Sequence, residues 1–430
     1  MSSGSDPITV LVVGSGGREH ALALAIDQDP AVAAVHVAPG NPGTAFFATN
    51  HRVDILDGTA VAALAAELGV DLVVIGPEAP LVAGVADAVR GRGIACFGPS
   101  AAAARLEGSK AFAKRVMADA GVPTARSRVA TAPAQAAAAL DEFGAPYVVK
   151  ADGLAAGKGV VVTDDRRTAL DHAAECGRVV IEEYLDGPEA SLFVITDGTT
   201  AVPLPPAQDF KRVGDGDEGP NTGGMGSYTP LPWLPAGTVE QVMAEVVEPT
   251  LARMRTLGTP FAGLLYVGLA LTEAGPRVVE FNARFGDPET EAILPRLRTG
   301  LGALLHAAAT GALADRGAPE VSDEACVGVV LAARGYPGSP VKGCVIGLPP
   351  APDGVHVIHA GTALDDRGRL VSAGGSSWSS PPAPTSPTPA SGRTPTSRGS
   401  TSRTASPAPT SPRRPDSTPS PPDWAEKEGT

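Results

Sequence analysis

Apolar runs without polar alternation mark the first hundred residues. Four such runs, at residues 8–13, 34–38, 71–76 and 94–98, are separated by alanine-rich segments with helical periodicity. Strands that are apolar on both faces and alternate with helices are typical of a parallel sheet covered on both sides. Glycine- and proline-rich stretches follow these strands, at the edge where open α/β sheets bind ligands. We therefore predict an N-terminal open parallel α/β domain over residues 1–105.

The rest of the ordered chain mixes helices and strands. Residues 106–324 form the second predicted unit, and within them residues 125–190 predict a small α+β insertion. There a strand, a glycine-rich turn and a second strand precede a helix and a third strand. A small β-rich unit is predicted over residues 325–375, and the chain as written truncates it.

The composition changes abruptly after Gly375. Residues 376–430 contain no Val, Leu, Ile, Met or Phe and consist mainly of Ser, Pro, Thr and Arg. Such a segment buries too little apolar area to offset its ordering entropy, so we predict a disordered low-complexity tail. A second hypothesis is a reading-frame shift. G/C-rich codons for this segment, regrouped in another frame, encode the apolar strand V-L-V-V-T and a helical pattern, which would complete the third unit.

Charge and cysteine content narrow the class of protein. The 47 acidic residues exceed the 34 basic ones, and the net charge of −13 argues against a nucleic-acid partner. No apolar run reaches the roughly 20 residues of a membrane span, and the first residues lack a secretory-signal pattern. Four widely spaced cysteines indicate reduced thiols. We expect a cytoplasmic enzyme acting on small molecules, with no membrane partner; the oligomeric state is open, and a monomer is compatible with the sequence.

The turn GSGGREH after the first strand holds the first candidate binding residues. Glycines that open a helix, here Gly16 and Gly17, expose backbone N–H groups to a phosphate. The positive charge of Arg18, which follows them, would strengthen the binding of that phosphate. A dinucleotide site would need a third glycine where Glu19 stands and an acidic residue that the second strand lacks. We predict the phosphate of a small substrate rather than a nicotinamide cofactor. On the simpler interpretation, Arg18 is a solvated charge.

A lysine ends the buried strand of YVVKADGLAAGKGV. Lys150 needs an anionic partner there, because an unpaired buried ammonium is expensive. The following turn, with Gly157, Lys158 and Gly159, lets backbone amides lie over phosphates. Four carboxylates follow in IEEYLDGPE. A structural hairpin and an ordinary charged turn are the alternative interpretations.

The segment 208–230 is long, polar and rich in Gly, Asp and Lys. Connections of this length in compact domains are usually functional or disordered. Asp209, Lys211, Arg212 and Asp215 offer both signs of charge, which suits a zwitterionic substrate and phosphates.

The strand in VVEFNARFGDPE predicts a metal site. Alternation places Glu280 and Asn282 on one face, with Val279 and Phe281 on the other. Two oxygen ligands together with nucleotide phosphates suit Mg²⁺. Arg284, further along the first face, would neutralise a transferring phosphoryl group. A solvated polar face is the alternative.

Together these segments resemble the ATP-grasp superfamily and, within it, the glycinamide ribonucleotide synthetases (phosphoribosylamine–glycine ligases). The likeness covers about residues 8–375 and rests on GREHALA, APGNPGT, IGPEAPL, LEGSKAFAK, KADGLAAGKGV, IEEYLDGPEAS, NTGGMG and EFNARFGDPE. It implies an α/β domain, ATP-grasp α+β domains with residues 125–190 as a lid over ATP, and a small C-terminal domain.

The resemblance also implies a reaction. ATP would drive the joining of 5-phosphoribosylamine and glycine to glycinamide ribonucleotide through glycyl phosphate, in the second step of de novo purine synthesis. The implied contacts are Lys110, Lys150, Gly157, Lys158, Gly159, Glu182, Leu185 and Glu189 for ATP; Glu280 and Asn282 for Mg²⁺ or Mn²⁺; Asp209, Lys211, Arg284 and Asp287 for glycine and the reacting phosphate; and Gly16, Gly17, Arg18, Asn41, Pro77, Glu78, Asp215, Asn221, Thr222 and Gly223 for substrate.

Two departures accompany the likeness. Many relatives carry a loop with glycine and phenylalanine before IEEYLDG that this chain lacks, and relatives continue past VSAGG with a strand and a helix. Another ATP-grasp carboxylate–amine ligase, or a nucleotide-binding protein inactivated by its altered C-terminus, are the alternatives.

Overall fold

A parallel sheet begins the chain, as the apolar runs predict. The computed structural model describes residues 6–154, 159–216, 218–373 and 378–380. The sheet has the order β3-β2-β1-β4-β5, and every neighbouring pair is parallel. Its elements are β1 (Ile8–Gly14), α1 (Gly17–Asp27), β2 (Val32–Pro39), β3 (Thr49–Asn50), α2 (Gly58–Leu68), β4 (Leu72–Ile75), α3 (Glu78–Val82), α4 (Val85–Arg90) and β5 (Ala95–Phe97). The predicted open α/β fold is confirmed.

Strand β1 is apolar throughout because both of its faces are covered. Leu11 and Val13 belong to one core cluster, together with apolar residues of α2 and α4. Val10 and Val12 belong to a second cluster with α1. Burial on both faces removes the polar alternation that a half-exposed strand would show.

Two helices lead from this sheet to a smaller α+β layer with its own core. They are α5 (Ala101–Gly108) and α6 (Lys110–Ala120). The layer consists of β6 (Ser127–Ala130), α7 (Pro133–Phe143), β7 (Tyr147–Ala151), β8 (Val160–Thr163), α8 (Arg166–Cys176) and β9 (Val179–Glu182), with the antiparallel sheet order β6-β9-β7-β8. The predicted order of two strands, a helix and a third strand is present, and residues 155–158 of the predicted turn between β7 and β8 lie outside the described residues.

A second antiparallel sheet forms the centre of the molecule, in the order β11-β10-β16-β17. The segment predicted as a long polar connection contains short strands. The elements are β10 (Glu189–Asp197), β11 (Ala201–Pro203), β12 (Gln208–Asp209), β13 (Arg212–Gly214), β14 (Glu218–Asn221), β15 (Gly226–Thr229), α9 (Thr238–Val242), α10 (Glu248–Thr256), β16 (Ala262–Thr272), β17 (Gly275–Asn282), α11 (Glu289–Ile293) and α12 (Leu301–Thr310). A π-helical turn, Met243–Val247, joins α9 to α10.

The last strands belong to two antiparallel sheets. They are β18 (Cys326–Leu331), β19 (Thr362–Leu364), β20 (Leu370–Ser372) and β21 (Trp378–Ser380). One sheet has the order β12-β15-β18-β21, so β18 pairs with β15 of the central unit, whereas β19 and β20 pair with each other. Apart from β21, the tail predicted over residues 376–430 lies outside the described residues.

The central helices and strands share cores with the N-terminal sheet. One cluster joins Val12 of β1 to Phe193 of β10 and Leu304 of α12. This shared packing holds the carboxyl ends of β1 and β4 against the end of β17, where the candidate site lies. Across the described part of the chain, no helix has the length and apolar character needed to cross a membrane.

Candidate active site

Carboxylates surround the first turn of α1. The Gly16 amide donates to Glu19 Oε2 at 2.6 Å, and the Arg18 amide lies 3.4 Å from Asp287 Oδ2. The Arg18 guanidinium lies 2.5 Å from Glu19 Oε1 and donates to the Phe285 carbonyl. These contacts argue against a phosphate placed directly on this turn, because carboxylates already face its amides. They also bring Arg18 and Asp287, predicted for different substrates, side by side.

Arg284 lies between two carboxylates from different units. Its guanidinium is 3.4 Å from Glu78, at the start of α3, and 3.2 Å from Glu107 in α5. Glu107 also accepts a hydrogen bond from the Ala283 amide at 2.7 Å. Burial tends to raise the pKa of Glu78, but Arg284 and then Arg18 outweigh it and lower that pKa. Arg284 is therefore held in place before any phosphate arrives.

Lys150 has the anionic partner that its burial requires. Its Nζ lies 3.0 Å from Glu182 Oε2 and donates to the Val279 carbonyl at 2.9 Å. Glu182 Oε1 lies 3.1 Å from Lys114 Nζ, so one carboxylate serves two lysines. Burial lowers the pKa of Lys114 from 10.5 to about 8, although the charge of Glu182 opposes this fall. The group keeps an excess of positive charge, which suits a polyphosphate.

Glu280 and Asn282 share one face of β17, but the strand does not alternate simply. The ladder between β16 and β17 shifts register around Val279. As a result Val278, and not Val279, joins Phe281 in the core. The expectation for Val279 is therefore wrong, because a β-bulge inserts one residue and changes the face that follows.

Cations dominate the surroundings of Glu280. Burial tends to raise its pKa, yet Lys150, Lys211, Lys110 and Arg284 together lower that pKa. An ionised carboxylate beside an amide oxygen fits a divalent cation that draws its other ligands from phosphates and water. Among the described residues, no three His, Cys, Asp or Glu side chains form a metal cage by themselves. Glu280 and Asn282 thus fit a metal that arrives with a nucleotide.

The segment β12–β13 brings two predicted subsites together. Lys211 Nζ lies 2.6 Å from Glu189 Oε2, although Glu189 was predicted for the nucleoside and Lys211 for glycine. The charge of Asp209 raises the pKa of Lys211 well above its ordinary value. Burial raises the pKa of Asp209, against the charge of Lys211. Asp209 and Lys211 therefore place opposite charges side by side at the position predicted for glycine, a zwitterionic substrate.

A buried hydrogen-bonded group lies beside this pair and was not predicted. Tyr266 Oη donates to Glu289 Oε1 at 3.0 Å, and Ser191 Oγ lies 2.7 Å from Tyr266 Oη. Burial, and then the charge of Asp209, raise the pKa of Glu289 from 4.5 to about 7. The sequence signal for Glu289 was its position at the end of the FGDPE motif.

Asn41 joins the N-terminal unit to the C-terminal one. Its Nδ2 donates to the carbonyls of Ser15, at 2.9 Å, and His359, at 2.8 Å. Its Oδ1 accepts from the amides of Gly43 and Thr44. The side chain is thus engaged in a structural contact, and its binding of phosphoribosylamine stays a prediction.

Other predicted nucleotide contacts lie around the lid. Lys110 begins α6, and its Nζ is 3.4 Å from the Gly153 carbonyl. The Gly159 carbonyl accepts from the Ala151 amide, and Leu185 is half-buried between β9 and β10. The predicted contacts at residues 157 and 158 lie outside the described residues.

The remaining predicted substrate contacts, at Pro77 and around the NTGGMG segment, lie partly beside the charged clusters and partly on the surface. Pro77 precedes α3 and places Glu78 at its first turn. Thr222 Oγ1 donates to the Lys211 carbonyl at 2.9 Å, and the Gly223 amide donates to Tyr336 Oη. The structure does not bring Asp215 or Asn221 into these clusters; both are exposed on the β13–β14 hairpin.

Models of three domains of one protein family match most of the chain. The N domain of phosphoribosylglycinamide synthetase matches residues 8–107, its ATP-grasp (A) domain residues 108–290, and its C domain residues 326–379.

Known proteins agree with these matches. The chain is similar to phosphoribosylamine–glycine ligase of Streptomyces coelicolor, at 63% identity over 371 residues covering 85% of this chain and 89% of the relative. The Mycobacterium tuberculosis H37Rv protein of the same name is 59% identical over 375 residues, covering 85% and 88%. A crystal structure of this ligase from Thermotoga maritima covers 87% of this chain and 91% of its own, with a TM-score of 0.76 and 36% identity. An ADP complex of N5-carboxyaminoimidazole ribonucleotide synthetase, 18% identical with a TM-score of 0.60 over 76% of this chain and 82% of its own, shares the fold.

Proposed function

Since the chain belongs to the phosphoribosylglycinamide synthetase family, we propose that ATP drives the joining of 5-phosphoribosylamine and glycine at the cluster of charged side chains around Glu280. The protein is an ATP-dependent carbon–nitrogen ligase of purine biosynthesis, and its products are glycinamide ribonucleotide, ADP and phosphate. The observation that best supports this location is the gathering of Lys150, Lys211, Lys110 and Arg284 around the carboxylate of Glu280.

ATP would lie between the lid and the central sheet. The residues that would bind its phosphates are Lys110, Lys150 and residues 157–159, whereas those that would bind the nucleoside are Glu182, Leu185 and Glu189. Glu182 already bridges two lysines, so its first task in this proposal is to fix those cations. Glu189 would exchange its surface contact with Lys211 for the nucleotide.

Glu280 and Asn282 would hold the divalent metal that ATP-grasp ligases use with ATP, and we propose Mg²⁺ or Mn²⁺. Bound there, the metal would neutralise phosphate charge during transfer. Carboxylate and amide oxygens suit both of these hard cations. The cations around Glu280 keep its carboxylate ionised and ready to act as a ligand.

The chemistry requires positioning and charge neutralisation rather than a covalent enzyme intermediate. A glycine carboxylate oxygen attacks the γ-phosphorus of ATP and ADP leaves, giving glycyl phosphate. The amine of phosphoribosylamine then attacks the acyl carbon, phosphate leaves, and the nitrogen loses a proton. Asp209, Lys211 and Asp287 would orient glycine, and Arg284 would offset the charge on the transferring group.

The phosphoribosylamine subsite would lie between the first turn of α1 and the start of α3. This region would be lined by Gly16, Gly17, Arg18 and Glu78. Its border on the side of segment 208–230 would be formed by Thr222 and Gly223. Asp215 and Asn221 would approach it only if the β13–β14 hairpin moved.

An assay of ADP release tests the proposal. We expect turnover that requires both glycine and freshly generated phosphoribosylamine. Glu280→Ala should abolish turnover while the far-ultraviolet circular dichroism spectrum and melting temperature are kept. Glu273→Ala removes an exposed carboxylate from the turn of the same β16–β17 hairpin, and it should retain activity.

The outcomes separate the alternatives. Turnover with another amine or carboxylate in place of these substrates would indicate a different ATP-grasp ligase. Nucleotide binding without turnover in a folded sample would indicate an inactivated nucleotide-binding protein. Full activity of Glu280→Ala would remove Glu280 from the metal site.

The domain division follows the same proposal. Residues 1–105 would bind phosphoribosylamine, residues 106–324 would bind ATP with the lid at 125–190, and residues 325–375 would form a partial C-terminal domain. We also propose a cytoplasmic location and leave a monomer as the simplest state.

The frame-shift hypothesis for residues 376–430 stays open beside that of a natural low-complexity tail. Resequencing the source gene decides between them. An intact frame with no restoring insertion or deletion near Gly375 would reject the shift.

A further inference from the structure

Glu291 is a buried carboxyl group that the reaction scheme above does not use. It lies in α11 with 1% of its surface exposed. Within the described residues, neither of its carboxyl oxygens has a hydrogen-bond partner. Burial, and then the charge of Asp287, raise its pKa well above the ordinary value. A buried polar group without a hydrogen-bond partner lowers the stability of the folded state, so a carboxyl group at position 291 calls for an explanation.

The carboxyl group points at the first turn of α1. A Cβ placed on Gly17 would lie 2.6 Å from Glu291 Oε1 and 3.7 Å from Asp287 Oδ2. The same position lies 3.5 Å from Ala360 Cβ, so the C-terminal unit forms a further wall. Glycine at position 17 therefore lets three units meet around the unpartnered oxygens of Glu291.

The charges at the first turn of α1 determine which chemical group of a ligand could contact Glu291. Glu19, Asp287 and Glu291 all present carboxyl oxygens, while the Arg18 guanidinium is engaged by Glu19 and the Phe285 carbonyl. A phosphate would meet acidic groups and a cation that is already paired. Hydroxyl and amine groups would instead supply the donors that the oxygens of Glu291 lack.

We propose that Glu291 is a substrate-binding residue that accepts hydrogen bonds from the hydroxyl or amine groups of the pentose end of phosphoribosylamine, with the phosphate lying away from it. The inference rests on the proposed function and narrows it to one part of the substrate. The carboxyl acts as a hydrogen-bonding group, so an amide of the same shape should replace it.

Calorimetric titration with ribose 5-phosphate, a stable pentose phosphate, tests this without relying on turnover. Glu291→Leu should bind it about tenfold to a hundredfold more weakly than the parent, since hydrogen bonds to the ligand are lost. Glu291→Gln should stay within about threefold of the parent, because the amide keeps an acceptor and adds donors.

Thermal melting separates a binding role from a structural one. Glu291→Leu should melt at the same temperature as the unliganded parent or higher, because an apolar group replaces a buried carboxyl without a partner. Asp29 is the matched control: it is also buried, but it accepts from the amides of Ala31 and Ala303. Asp29→Leu should melt lower and bind ribose 5-phosphate as the parent does.

Steady-state kinetics complete the test. Glu291→Leu should raise the KM for phosphoribosylamine and leave those for ATP and glycine within about twofold. Equal affinity of the parent and Glu291→Leu for ribose 5-phosphate overturns the inference, as does an absence of saturable binding to the parent. Ribose 5-phosphate binding that depends on Glu291, without glycine-dependent ADP release, keeps the inference and rejects the proposed function.

Discussion

The lysine pair on Glu182 makes stability depend on pH in a defined direction. Lys114 donates to Thr124 Oγ1 at 2.9 Å and to the Ala125 carbonyl at 3.0 Å, besides its contact with Glu182. Lys114→Met keeps the length of the side chain and removes its charge. Glu182 keeps Lys150 as a partner, so the carboxylate is not left alone.

The magnitude follows from the pKa of Lys114, which burial lowers from 10.5 to about 8. At about 1.4 kcal/mol per pKa unit, holding the charged lysine in the fold costs about 3 kcal/mol at neutral pH. Above pH 8 the folded state releases the proton while the unfolded state keeps it up to pH 10.5. This cost therefore fades as the pH rises, and the lysine makes stability increase through that window.

Urea denaturation at several pH values measures the effect. From pH 7.5 to pH 9.5, the free energy of unfolding of the parent should rise by about 2 kcal/mol relative to that of Lys114→Met. Lys342→Met, at an exposed lysine, should run parallel to the parent. A difference between parent and Lys114→Met that is constant over this range would refute the reasoning, because it would mean that the buried lysine does not change its protonation there.

Three further predictions concern stability. Phe193→Ala should lower the free energy of unfolding by about 3–5 kcal/mol, since Phe193 is fully buried against Tyr266; a loss below about 1 kcal/mol in urea denaturation would contradict its place in the core. Asp165→Ala should cost about 1 kcal/mol, because Asp165 accepts from the amides of Arg167 and Thr168 at the start of α8; Asp164→Ala, next to it, is the control, and equal losses would count against the cap. Glu289→Gln should remove a fall in stability between pH 4.5 and about 7, where the folded parent keeps a proton that the unfolded chain releases; identical pH profiles would show that Glu289 is not held protonated.

The fold was predictable where the residues of a single strand indicate by themselves which faces of that strand are buried. Val10 to Val13 are apolar in sequence because each belongs to one of two cores. Lys150 was predictable as a paired cation, because a lysine that ends an apolar strand needs an anion nearby. Both inferences use neighbouring residues alone, and both are confirmed.

Other features depend on contacts between distant parts of the chain. Glu107 reaches the Ala283 amide across 176 positions, and nothing in LEGSKAFAK distinguishes it from a solvated helix charge. The bulged strand has no glycine at Val279, and the glycine at the register shift, Gly268, lies on the partner strand β16. Glu19 of the same motif accepts from the Gly16 amide, and folding adds Asp287 beside Gly16 and Gly17, so both carboxylates disfavour the phosphate expected there.

Isotope transfer from glycine tests most directly the claim that this site makes glycyl phosphate. The protein would be supplied with ATP, phosphoribosylamine and glycine labelled with ¹⁸O in both carboxylate oxygens, and the released phosphate analysed by mass spectrometry. Because a carboxylate oxygen attacks phosphorus and leaves with it, each phosphate should carry one ¹⁸O atom. Glycine-dependent ADP release with unlabelled phosphate would contradict the account, since the carboxylate would then not have been the group that ATP phosphorylates.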